Sequence, residues 1–111
     1  MDKKTQKRLT DAGWNIGDAA DFLELTPEET AFIEMKLAMS RSLRQEREKQ
    51  GVTQVALAKL VGSSQSRVAK MEAGDSSVTI DLLMRALLAL GLTKKDLSRI
   101  VAKADQIATS V

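Results

Sequence analysis

Ser66 and Lys70 stand four residues apart, the spacing that sets two side chains on one face of a helix. A serine beside a lysine is one way to build a nucleophile and its base. Other routes to such chemistry are closed, because the chain has no Cys and no His. Thiolate and imidazole metal sites, cysteine nucleophiles, disulfides and histidine-based triads are excluded with them. Carboxylates alone could hold Mg²⁺, but the 15 acidic residues are scattered and form no tight constellation. Whether Ser66 and Lys70 form a catalytic pair or part of a polar surface depends on the elements that position them.

The 111 residues are enough for one domain with one core. Hydrophobic residues make up 43% and charged residues 29%, the balance of an ordinary folded chain. Aromatics are only 3%, so Leu, Ala, Val, Ile and Met must build the interior. With one Pro and six Gly, and with no strand pattern and no internal repeat, the composition points to an all-α protein. Lys plus Arg outnumber Asp plus Glu by 17 to 15, a net charge of +2 whose excess lies in the second half of the chain. That imbalance alone is too mild to indicate a polyanionic partner. No apolar run reaches membrane-spanning length and the N-terminus lacks a signal-peptide core, so the expected location is cytoplasmic.

Residues 1–25 read as a basic arm (Lys3, Lys4, Lys7, Arg8) followed by a short helix over Ala19–Leu25. Thr26-Pro27-Glu28-Glu29 is the clearest helix start: a hydroxyl cap, Pro at the first position and Glu three residues on. The helix is expected to run to about Gln50, where Gly51 stops it, with Ile33, Leu37, Met39 and Leu43 on its apolar side. Three more helices are expected after Thr53, Ser63 and Thr79, and a fifth from Thr93 to about Ala104. Residues 26–105 then form the domain, and 106–111 a tail.

Residues 53–74 read TQVALAKLVGSSQSRVAKMEAG, two short helices around a glycine turn. Two helices that cross closely need a small residue inside the first, and Ala58 is there. The turn needs a residue tolerant of positive φ, and Gly62 follows four residues later. Leu57, Val61, Val68 and Met71 supply the inward apolar positions.

This stretch resembles the helix-turn-helix of the lambda-repressor-like, Cro/CI-type (XRE) regulators. The likeness reaches back through Leu43-Arg44-Gln45-Glu46-Arg47 and Gly51-Val52-Thr53-Gln54. It reaches forward through Glu72-Ala73-Gly74, Thr79-Ile80-Asp81-Leu82-Leu83 and Ala89-Leu90-Gly91-Leu92, covering about residues 40–100. The resemblance implies a five-helix DNA-binding domain, here with a short N-terminal helical extension. The Gly-Trp lead, the Thr-Pro-Glu-Glu start and the run SSQSRVAKMEAGD also resemble small antitoxin-type (HigA-like) regulators, whose genes often sit beside RelE/HigB-type toxins. That implies a toxin partner and autoregulation.

The family's geometry puts about Ser64–Ala73 in the DNA major groove. Val68 and Met71 face the core, so Gln65, Ser66, Ala69 and Lys70 face outward. By resemblance Gln65, Ser66 and Lys70 read bases, since Gln pairs with adenine and Lys donates to guanine. Gln54, Ser64 and Arg67 are expected to hold phosphates. Ser66 and Lys70 thus belong to a binding face, and no catalytic residue, metal or cofactor is expected. Arg47 and Glu72 match a family pair that forms a structural salt bridge. Two residues depart from the pattern: Ala56 stands where Glu is common, so Thr53 lacks a reciprocal capping box, and Ala73 stands where Asn is frequent.

Ile80–Leu92 has only Asp81 and Arg85 as charged residues, on one face. A helix this apolar must bury more than one side. A second copy of the chain is the expected cover, as a homodimer reading a palindrome, with Leu97, Ile100 and Val101 of the same chain as the alternative. Trp14, Ile16, Phe22 and Leu23 are expected to staple the N-terminal extension to the domain rather than to dock a toxin.

Overall fold

The computed structural model describes residues 25–104. The basic arm, the Trp14 cluster and nearly all of the Ala19–Leu25 helix lie outside the described residues, as does the 106–111 tail. Among the described residues the architecture is all-α: α1 (Pro27–Lys49), α2 (Gln54–Leu60), α3 (Gln65–Glu72), α4 (Ile80–Ala89) and α5 (Lys94–Ala102). None of these helices is long and apolar enough to cross a membrane.

Each helix starts on a hydroxyl. Thr26 accepts from the Glu29 N–H while the Glu29 carboxylate accepts from the Thr26 N–H, closing a capping box ahead of Pro27. Thr53 caps α2 through the Ala56 N–H alone. Ser64, not Ser63, caps α3, through the Arg67 N–H at 3.2 Å. Ser63 instead closes the helix before it: its N–H bonds back to the Ala58 carbonyl at 2.8 Å, across Gly62 at φ 66°. That six-residue closure ends α2, and the chain needs one more residue before the next helix begins. α1, α3 and α4 end on the same kind of bond. At Gly74 the backbone sits at φ 71°, which strains any other residue, and a side chain there would also push Leu37 Cδ2, 2.8 Å away, aside. α5 ends at Ala102, a little short of the expected Ala104.

The core lies where α1 crosses the other helices. Leu43, Leu57, Val68, Met71, Leu83 and Leu87 are fully buried, and Met39, Ala58, Val78, Ala86, Leu90 and Leu97 complete the cluster. Val61 is only half-buried at its edge. α1 packs on α3, α4 and α5, and α2 packs on α3 and α4. α5 covers part of α4 from within the chain, with Leu97 buried and Ile100 and Val101 against the core. Met84 and Leu88, one turn apart on α4, stay open at 39% and 46% exposure.

Candidate nucleic-acid interface

α3 has eight residues and α2 seven, too short to hold their shape alone in water. Packing fixes their crossing: Ala58, small and buried, lets α3 approach, and Val68 and Met71 anchor the inner side of α3. The remaining side of α3 is forced outward. Gln65, Ser66, Arg67 and Lys70 are exposed, and Ala69 is half-buried between them. Arg67 and Lys70 make no ion pair among the described residues, so their charges face solvent.

Ser64 lies at the head of this face, its hydroxyl 3.2 Å from that of Ser66. Because the cap satisfies the Arg67 N–H, the earlier N–H groups of α3 remain open at its positive end, a suitable place for an anion. The structure thus brings Ser64, Gln65, Ser66, Arg67 and Lys70 together on one helix.

Gln54, at the first position of α2, joins them in a way that sequence spacing could not reveal. Its Nε2 donates to Glu72 Oε1 at 3.1 Å, and its Oε1 accepts from Gln65 Nε2 at 2.7 Å. Both ends of the side chain are therefore engaged within the protein. No local signal links residues 54, 65 and 72; only the crossing of α2 and α3 does.

Glu72 is in turn held by Arg47 of α1. The guanidinium donates through Nε to Oε2 and through Nη2 to Oε1 at 3.0 Å, while Nη1 donates to the Val52 carbonyl at 2.9 Å. The side chains are 14% and 4% exposed, so both charges are largely out of water. The hydrogen bond to Glu72 raises the Arg47 pKa above its ordinary value, against the opposing effect of burial. The pair ties α1 to α3 and reaches the loop ahead of α2. Elsewhere Lys36 Nζ donates to the Ser76 carbonyl at 3.0 Å, and Gln50 Nε2 to the Leu90 carbonyl at 2.7 Å. These anchors, 40 residues apart in sequence, were likewise not legible from spacing.

Comparison with known proteins agrees with this geometry. Residues 43–97 match the family model described as helix-turn-helix, which spans α2 and α3, the last part of α1, all of α4 and the start of α5. No curated protein and no solved structure matches the chain. The family match assigns neither a toxin partner nor a second copy of the chain. The fold is all-α and lambda-repressor-like, and the match over residues 43–97 supports a DNA-binding transcription regulator of the Cro/CI (XRE) type.

Proposed function

We propose that the protein is a sequence-specific transcriptional repressor that binds a palindromic operator as a homodimer and regulates its own gene. The observation that carries this reading is the outward face of α3, where Gln65, Ser66 and Lys70 are exposed while Val68 and Met71 are buried behind them. On this reading those three side chains meet base edges in the major groove. Ser64 and Arg67 hold phosphates beside them, and Gln54 does so at the head of α2 through the Nε2 hydrogen that its bond to Glu72 leaves over. The open Met84–Leu88 edge of α4 supports the homodimer, in which two copies of α3 would lie one DNA turn apart.

The test is binding of the full chain to the DNA upstream of its gene, with and without excess competitor DNA at about physiological salt. Protection of a palindrome that survives competitor is expected; binding lost to competitor would overturn sequence specificity. On the protected site, Gln65→Ala should cost about 1–3 kcal/mol and relax preference at one base position. Arg67→Ala should weaken all sequences alike and reduce the salt slope by about 1. Equal, sequence-independent losses for both would overturn the division of roles.

An antitoxin role has one observation in its favour, the exposure of Phe32 (49%) on α1, outside the helix-turn-helix. Recovery of a small basic toxin with the chain expressed from its native operon, lost in Phe32→Ser, would establish it.

A further inference from the structure

Arg47, Glu72, Gln54 and Gln65 form an unbroken row from the buried side of α1 to the exposed face of α3. Taking Gln65 as the base reader proposed above, we infer that Glu72 is a positioning residue for DNA specificity, which acts through Gln54 to fix the direction in which the Gln65 amide faces.

The inference follows from the polarity of the groups. A carboxylate accepts hydrogen bonds and cannot donate them, whereas an amide does both and can face either way. Glu72 Oε1 therefore draws the NH₂ end of Gln54, at 3.1 Å. This turns the Gln54 carbonyl oxygen toward Gln65, whose NH₂ end must answer it, at 2.7 Å. One N–H of Gln65 is then engaged. Its other N–H and its Oε1 remain for the groove, in one order.

Adenine presents an acceptor (N7) beside a donor (N6), and a bidentate partner must offer its donor and acceptor in the matching order. A reversed amide would swap the two. Arg47 completes the device by holding the carboxylate in place on both oxygens. Gln65 is itself exposed and would otherwise sample both orientations and several rotamers, an ordering cost met again at every binding event.

The experiment begins with selection of duplexes from a random-sequence library by the full chain. Gln65→Ala then identifies the base pair that Gln65 reads. Glu72→Gln replaces the acceptor-only end by an amide that can face either way, so Gln54 loses its set direction. A good bidentate contact discriminates between bases by roughly 5- to 150-fold. In Glu72→Gln the preference at that base pair should therefore fall about 5-fold or more. Preferences at other positions should hold, as should affinity for unselected duplex at the same salt. Gln54→Leu leaves Arg47 and Glu72 paired and covers the case in which Glu72→Gln does not fold. It should lose the same preference at the same position, whatever uniform loss accompanies it. Without DNA, the Gln65 side-chain amide resonances should move in both variants.

Unchanged preference at that base pair in a folded variant would overturn the inference, as would unmoved Gln65 resonances. If the wild-type chain selects no sequence while those resonances respond to Glu72→Gln, base reading by Gln65 falls, and the specificity role of Glu72 falls with it. The relay within the protein would still have been detected, so the two failures are distinguishable.

Discussion

The corner built by α2 and α3 and the pair built by α4 and α5 rest on the same long helix, yet different forces hold them. The corner contributes Leu57, Ala58, Val68 and Met71 to the core and adds a row of directed polar contacts from Arg47 to Gln65. The α4–α5 pair is held mainly by apolar packing, through Leu83, Ala86, Leu87, Leu90 and Leu97, with the Gln50 amide on the Leu90 carbonyl as its polar tie to α1. Apolar packing is strong but has no direction. It can hold a scaffold, whereas an exposed amide is oriented only by hydrogen bonds. Both sides of this domain thus share the cohesion of one core, and only the corner adds a row of directed contacts to it.

The largest effect is expected on the apolar side. Leu87 is fully buried, so Leu87→Ala should lower stability by about 2–5 kcal/mol in chemical denaturation. A loss under about 1 kcal/mol would remove the contrast. Next comes Arg47→Ala, which leaves the Glu72 carboxylate, 4% exposed, without its charge partner and should cost about 3 kcal/mol. The double variant Arg47→Met/Glu72→Leu separates cohesion from aim in one molecule. Apolar replacement of both partners should restore much of the stability but not the sequence preference.

A smaller effect depends on pH. The Asp96 carboxylate accepts the Thr93 N–H at 2.8 Å and the Thr93 hydroxyl at 3.0 Å. Those bonds, the backbone one first, with help from Arg99, hold its pKa below the ordinary 3.8. A carboxyl depressed on folding stabilises the fold above its unfolded pKa, and that contribution fades as pH falls through the folded value. Melting temperature should therefore drop from near pH 4 downward, and Asp96→Asn should flatten that part of the curve. The smallest effect is at Ser40, whose buried hydroxyl has no hydrogen-bond partner among the described residues. Ser40→Ala should be neutral or should stabilise by up to about 1 kcal/mol in the same denaturation assay.

Much of the fold was legible because caps and glycines act locally. Thr26, Thr53, Thr79 and Thr93 all cap helices where hydroxyl spacing placed them. Ser63 and Ser64 show the limit, since two adjacent serines are equivalent as letters. Only the closing bond from Ser63 to Ala58 decides which is free to cap α3. The Thr93 capping box went unread because its third-position partner is Asp96 rather than the usual Glu or Gln. At the candidate site, the outward residues of α3 followed from helical periodicity against Val68 and Met71. Gln54 did not, because its partners lie on another helix at a distance fixed by packing, which spacing along the chain does not encode.

The brevity of α2 and α3 bears on control. Helices of seven and eight residues do not persist without their neighbours, so the proposed reading surface exists only while α1 and the core behind it are intact. Its availability is then set by the folding equilibrium of the whole domain. A protease, a partner or a rise in temperature that opened α1 would abolish the exposed face of α3 without touching any residue on it. On the proposed function, survival of the fold and occupancy of the DNA site would rise and fall together.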